Sequence, residues 1–416
     1  MIDLEDKIRP ERAILCSVDT GEFDAEVSID ELEELARTAG AEVVAKVVQP
    51  RPAPDTALFL GTGKLDEIKD FVDYPNIDVL IFDDELTPSQ QRNIENYMDK
   101  KVIDRTTLIL DIFAQRARSK EGKLQVELAQ LQYRLPRLGG QGLALSRLGG
   151  GIGTRGPGES KLESDRRHIR RRIDAIKAEL REVEKRRNLQ RKRRQKDGVQ
   201  TVVIVGYTNA GKSTLMNHLT QAGVLAENKL FATLDPTSRA LTLPSGREVM
   251  LIDTVGLVRR LPHNLVEAFK STLEEAASAD VILNVCDASD PCAVEHLRVT
   301  NDLLVELGAE GKPIVNVMNK CDQIYDLNDV PTIGNTVYIS ALRGNGIDKL
   351  LNAIEEALPK DRKRCTYLFP YNDLKPAALV REDGNVFSEE YVDEGLKIDA
   401  LCSIMIVNKL EKYVLE

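Results

Sequence analysis

The chain has 416 residues, with 57 Lys and Arg against 67 Asp and Glu and a formal net charge of −10. That length accommodates two to four domains with real cores, and no apolar run approaches the ~20 residues a membrane helix needs. Six scattered cysteines without a Cys-x-x-Cys pair, four histidines without a metal-ligand spacing and a charged N-terminus without a signal-peptide core leave a cytoplasmic protein with reduced thiols as the expectation.

Residues 1–105 alternate strand and helix signals and predict a small α/β layer domain. Strands are expected at 12–18, 42–48, 79–82 and 101–104. Helices are expected at 28–39, 63–71 and 89–98, the first capped by Ser28 or Asp30. Gly61-Thr-Gly-Lys64 looks like a phosphate loop but lacks a glycine four residues before Gly63, so it reads better as a turn that opens a helix.

Residues 106–198 predict a long antiparallel helical hairpin. Leu108, Ile112, Ala117, Leu124, Leu128, Leu131 and Leu135 recur at heptad-like spacing along 106–134. A second stripe, Ile169, Ile173, Ile176, Leu180 and Val183, runs through 163–196. Between Lys161 and Lys196 stand 16 basic and 6 acidic residues, leaving 41 basic against 61 acidic elsewhere. A concentrated basic segment on an acidic body points to a polyanionic partner for that segment. The joining loop, 136–159, is rich in glycine, carries Arg137, Arg147 and Arg155, and has no acidic residue before Glu159. Arginine on bare backbone suits approach to RNA; a plain flexible linker fits the composition equally.

The next domain is expected over 199–358. The apolar run Val202 to Val205 leads into Gly206, Tyr207, Thr208, Asn209, Ala210, Gly211, Lys212 and Ser213, after which a helix opens. Strand, glycine-permitted turn and helix N-terminus present successive N–H groups to phosphates. Lys212 would reach the β- and γ-phosphates and Ser213 would ligate Mg²⁺. Phe231, Ala232, Thr233, Leu234 and Asp235 precede a hairpin, 240–243 with 248–252. Thr233 is the expected second Mg²⁺ ligand, with Thr237 as the competing choice. Asp253, Thr254, Val255 and Gly256 end a strand, the aspartate suited to the metal's water shell and the Gly256 N–H to the γ-phosphate.

Asn319, Lys320, Cys321 and Asp322 follow the strand 314–318, and Ser340, Ala341 and Leu342 follow the strand 336–339. Asp322 matches the paired donors of guanine, which adenine lacks, so the substrate is GTP. Leu257 replaces the glutamine that orients water in Ras-like enzymes, and slow intrinsic hydrolysis follows unless a partner or a cation assists. Asn209 is positioned either to ligate K⁺ or to brace the loop. The catalytic set is therefore Lys212, Thr233, Gly256 and Asn209. After a helix at 346–357 and a basic linker, residues 359–416 read as a small α+β domain with strands at 367–369, 377–380 and 397–407 around an acidic turn.

The chain resembles the HflX family of translational GTPases. The likeness rests on Gln115-Arg-Ala-Arg118, Gly122 to Pro136, Gly150-Gly-Ile-Gly-Thr-Arg-Gly-Pro-Gly-Glu159, the loop 206–213, the segment 231–237 and Leu261-Pro-His263. The resemblance implies a P-loop GTPase domain, mainly parallel sheet flanked by helices, joined to the three other units. It further implies a monomeric, cytoplasmic enzyme that binds guanine nucleotides and the large ribosomal subunit with its rRNA, not DNA. Splitting or rescue of stalled ribosomes is the implied task. An RNA-binding or ribosome-assembly module with a mainly structural nucleotide is the alternative.

Overall fold

The computed structural model describes residues 9–71, 74–138, 157–196, 199–220, 230–231, 237–260, 275–324, 334–359 and 362–415, with backbone alone at 157–162, 195–196 and 362. Its first sheet is parallel, in the order β2-β1-β3-β4: β1 (Arg12–Asp19), β2 (Glu42–Pro50), β3 (Val79–Phe82) and β4 (Lys101–Asp104). Successive side chains enter opposite layers, so a strand covered on both faces reads as a continuous apolar run. Ala13, Leu15, Val79 and Ile81 pack against α1 (Ala25–Ala39) and α4 (Arg105–Arg116). Ile14, Cys16, Leu80 and Phe82 pack against α2 (Thr62–Lys69) and α3 (Pro88–Met98).

Two expectations change here. Helix α1 starts three residues earlier than 28, because the Asp24 carboxylate accepts from the N–H groups of Glu26 and Val27. Ser28 is instead buried, and its hydroxyl donates to Asp83 at 2.6 Å. The helix expected over 106–134 is broken. Helix α4 ends at Arg116, and Ser119 caps α5 (Lys120–Arg137) by accepting from Gly122 N–H at 2.8 Å. Leu108, Ile109, Ile112 and Phe113 of α4 belong to the core of the first sheet, not to the hairpin.

The hairpin pairs α5 with α6 (Pro157–Lys196), a helix of 40 residues. Leu124 and Leu128 meet Ile173 and Ile176, with Leu131, Leu135, Ile169 and Leu180 alongside. Glu127 pairs with Arg172, Lys120 with Glu179 and Glu121 with Arg187, which makes the two helices antiparallel. The root of α6 is held by Glu275, toward which Arg187, Arg191 and Arg194 converge at 3.8, 3.2 and 3.9 Å.

The second sheet has the order β10-β9-β8-β5-β7-β6, parallel except at the edge. Its strands are β5 (Thr201–Gly206), β6 (Thr237–Thr242), β7 (Glu248–Asp253), β8 (Val281–Asp287), β9 (Ile314–Asn319) and β10 (Thr336–Tyr338). Helices α7 (Lys212–Thr220), α8 (Ala293–Glu306) and α9 (Ile347–Ala357) flank it. Sequence reading assigned no element to β8 or α8.

The last unit is an antiparallel sheet, β11-β13-β12, from Arg362–Phe369, Gly395–Ser403 and Asn385–Val392. The strand expected at 377–380 is a helix, α10 (Ala377–Asp383). Pro376 stands at its N-cap, and Ala377 and Val380 are buried against the sheet core. The strand expected over 397–407 stops at Ser403, whose side chain caps α11 (Ile404–Lys409). The acidic turn is the strand β12, exposed along almost its whole length.

Ile176 is fully buried between the hairpin helices. Ile176→Ala should cost about 2–5 kcal/mol, read as a lower urea midpoint, with GTP affinity retained. An unchanged midpoint would show that the hairpin interface carries no stability.

Candidate nucleotide site

The carboxyl ends of β5, β7, β8 and β9 converge, which is where open parallel sheets bind ligands. Gly206 at the end of β5 has φ +141°, and a Cβ there would lie 2.0 Å from the Val285 carbonyl oxygen. Gly211, at φ +89°, leaves no room for a Cβ beside the Asn319 amide nitrogen, 2.2 Å away. Asn209 itself adopts φ +60°, a left-handed turn that asparagine tolerates better than most residues. These conformations wrap residues 206–211 around the N-terminus of α7.

Lys212 is buried and its Nζ donates to the carbonyls of Gly206 at 3.0 Å and Tyr207 at 2.6 Å. The lysine is thus extended beneath the loop it serves. Burial lowers its pKa to about 8, with the Asp253 carboxylate opposing the shift. Ser213 Oγ donates to Asp253 Oδ2 at 3.0 Å, so a hydroxyl and a carboxylate from two elements face one point. That hard-oxygen pair fits Mg²⁺. Thr254 turns away and donates to the Ile204 carbonyl, bracing the strand end.

The loops after β9 and β10 are knitted to the loop 206–211 by one side chain. Asn319 donates to the Ala210 carbonyl at 2.8 Å and accepts from Ala341 N–H at 2.9 Å. Asp322 accepts from Ser340 Oγ at 2.6 Å and faces Arg343 Nε at 3.4 Å. The Ser340 hydrogen bond, first among the causes, holds its carboxyl below the usual carboxylate range. Lys320 takes φ +63° and pairs with Asp287 at 2.6 Å, which stretches its stem along the loop. Cys321 donates to the Met318 carbonyl, and Leu342 is exposed beside buried Ala341.

Gly256 lies against the phosphate loop: a Cβ there would come within 2.7 Å of Thr208 Cγ2 and 3.0 Å of Lys212 Nζ. The next residue bridges the two segments. Leu257 N–H donates to the Gly206 carbonyl at 3.1 Å, and Thr208 N–H donates to the Leu257 carbonyl at 2.7 Å. The Leu257 side chain is buried in a core with Val255, Val258, Phe231 and the α4 residue Phe113.

Several expected residues fall elsewhere. Phe231, assigned to the nucleotide, is buried edge-on against Phe113 with ring centroids 4.6 Å apart. Its large apolar ring is better satisfied in that core than beside phosphates. Arg137, assigned to RNA, donates to the Tyr133 and Leu86 carbonyls at 3.0 and 2.7 Å and stacks over the Tyr133 ring. It is a joint between α5 and the first domain. Lys64 pairs with Glu67 in the first turns of α2, so Gly61-Thr-Gly-Lys64 opens a helix, as expected. Ala232, Thr233, Leu234, Asp235, Arg147, Arg155 and His263 lie outside the described residues.

Sequence reasoning missed Asp287 and His296. Asp287 ends β8, as Asp253 ends β7 and Asn319 ends β9, so assigning that buried strand would have exposed it. His296 stacks on the Tyr207 ring from α8, a contact that only the tertiary fold creates.

The chain is similar to known proteins along most of its length. Residues 26–114 match the family described as GTP-binding GTPase N-terminal, 116–194 that described as GTP-binding GTPase middle region, and 201–320 that described as 50S ribosome-binding GTPase. A protein of Caldanaerobacter subterraneus subsp. tengcongensis named GTPase HflX is 53% identical, over 97% of this chain and 94% of its own length. The Escherichia coli protein of the same name is 46% identical over 82% of each. A solved complex of SsGBP with GDP is 29% identical, covering 83% of this chain and 98% of its own, with a TM-score of 0.48.

Bound phosphate oxygens would raise the Lys212 pKa from about 8. Nucleotide binding at about pH 8.5 should then take up protons, and less so at about pH 7. Calorimetry in two buffers of different ionisation enthalpy measures this. Equal uptake in the parent and in Lys212→Met would remove Lys212 from the phosphates.

Proposed function

The chain belongs to the HflX family of GTPases, and from that premise we propose that it binds the large ribosomal subunit in its GTP state and splits or rescues stalled ribosomes. It hydrolyses GTP to GDP and phosphate. The observation that carries the ribosomal reading is α6. This 40-residue helix presents Arg167, Arg170 and Arg171 to solvent and is rooted through Glu275 beside the GTPase sheet. Exposed arginines along one long helix suit a phosphate backbone. The match of residues 201–320 to a 50S ribosome-binding GTPase family supports the same partner.

Within the cycle, Asp322 reads guanine, with Ser340 orienting its carboxylate and Lys320 lying along the base. Lys212 and the N–H groups of residues 209–213 hold the phosphates. Ser213 and Thr233 would hold Mg²⁺, with Asp253 beside Ser213. Bound Mg²⁺ neutralises charge on the β- and γ-phosphates. Gly256 N–H reports the γ-phosphate. Leu257 offers no donor or acceptor for water, so the chain alone hydrolyses slowly and the ribosome completes the site. Asn209, held at φ +60° in the loop, would ligate K⁺ in place of an arginine finger.

Sedimentation with ribosomes should show binding with a non-hydrolysable GTP analogue and little with GDP. Changing Arg167, Arg170 and Arg171 to alanine should flatten the log–log salt dependence by about 0.7–0.9 for each phosphate that is no longer neutralised. Superimposable binding curves for parent and variant would remove this helix face from the interface. Single-turnover hydrolysis that large subunits do not accelerate would favour a nucleotide of mainly structural use.

The cation reading has its own test. GTPase rate should rise when K⁺ replaces Na⁺ at constant ionic strength, and Asn209→Ser should abolish the rise with GTP affinity little changed. Equal rates in both salts, with and without ribosomes, would leave Asn209 a structural turn residue.

A further inference from the structure

His296, in the first turn of α8, is 8% exposed and belongs to none of the nucleotide motifs. Its ring stacks on Tyr207 of the phosphate loop, 3.8 Å between centroids and 16° between planes. Arg259 Nε donates to its Nε2 at 3.3 Å, with Nη2 3.2 Å away, and its Nδ1 lies 3.4 Å from Asp290 Oδ2. These contacts define a neutral imidazole protonated on Nδ1, since an Nε2 proton would point at a guanidinium that can only donate. Arg259 is two residues past Leu257, which is itself paired with the phosphate loop. One imidazole therefore grips the phosphate loop through Tyr207 and the segment 256–259 through Arg259.

The position of Gly256 gives that grip a chemical consequence. Gly256 borders the space beside Lys212 Nζ so closely that a Cβ would come within 3.0 Å of it. If 206–213 is the phosphate loop, a third phosphate would enter that space, whereas a diphosphate would leave it alone. The segment 256–259 would then have to move for GTP and could stay for GDP.

We propose that His296 is a specificity-determining residue, which in its neutral form adds to the hold on Arg259 and so biases the site toward diphosphate, and which on protonation loosens that hold, leaving Arg259 to Glu295, Glu31 and Arg105, and so favours triphosphate. This rests on reading 206–213 as the phosphate loop and Gly256 as the γ-phosphate contact. The charged and titratable groups around the ring are Asp287 and Asp290 from the end of β8 and the loop after it, Cys292 and Glu295 at the start of α8, Arg259, and Tyr207. Glu31 of α1 faces the same segment by accepting from Arg259 N–H. Burial, first, and Arg259 lower the His296 pKa, while Asp290 and Glu295 oppose them. A lowered value extends the neutral form, and the grip, to pH below the ordinary histidine range; the grip is lost as pH falls through the lowered pKa.

The test is the affinity of the full-length protein for a non-hydrolysable GTP analogue and for GDP, by calorimetry between about pH 5 and pH 8. In the parent the analogue-to-GDP affinity ratio should rise about tenfold toward acid, the scale of one charged hydrogen bond. His296→Gln keeps an acceptor for Arg259 without titrating, and should stay flat at the parent's high-pH ratio. His296→Phe keeps the stack without the acceptor, and should sit at the raised ratio throughout. Protonation of the γ-phosphate itself is common to all three proteins and cancels between them. A glutamine variant that follows the parent's pH course, or a phenylalanine variant with the parent's ratio at about pH 8, would overturn the proposal. Failure of the parent to bind GDP at all would instead overturn the reading of the site.

Discussion

Much of this molecule is organised by one guanidinium that water barely reaches. Arg105 is 2% exposed. It donates to Asp83 and Glu31 at 2.7 Å each and to the Arg259 carbonyl at 3.1 Å. Removing such a charge from water costs several kcal/mol, which only near-complete hydrogen bonding offsets. Its partners are correspondingly well supplied. Asp83, fully buried, also accepts from Ser28 and faces Arg260 at 3.2 Å, and Glu31 accepts from Arg259 N–H at 3.1 Å. An ion network of this kind contributes less to stability than to register: it is satisfied in one arrangement of the two domains.

The location of that network follows from topology. In the sheet β2-β1-β3-β4 the strand order reverses between β1 and β3, and Asp83 directly follows β3. Crevices at such points ordinarily receive ligands. Here the crevice receives residues 259–260, which follow Gly256. Apolar packing reinforces the same union, because Phe231, Val255, Leu257 and Val258 share a core with α1 and α4. Phe231 and the segment 255–258 thus pack directly on the first domain.

The nucleotide site was legible because each of its motifs is local: a buried strand ends and a loop of fixed chemistry follows at once. Asn319, Asp322, Lys212 and Ser213 could be placed from neighbours within a few residues. Phe231 and Arg137 could not, since each lies beside a motif yet is claimed by a partner far along the chain, Phe113 and Leu86. The break between α4 and α5 was hidden by an apolar spacing that continues across it, although Ser119 was present as a cap. In the last domain the apolar run 377–380 suits a helix packed on a sheet as well as a strand, and β12 has too little buried surface to show alternation. Periodicity reports burial, and an exposed strand gives it nothing to report.

The hairpin has a mechanical consequence. At 1.5 Å per residue, a 40-residue helix is about 60 Å long. Its base is clamped where three arginines meet Glu275, next to the strand that ends at Asp253. A stiff helix converts rotation into travel: a tilt of about 5° at the base displaces the far end by about 5 Å over that length, carrying with it α5 and the first-domain joint at Arg137. Rearrangements of the size that one phosphate group imposes at the root would therefore be magnified at the tip, where the glycine-rich loop begins.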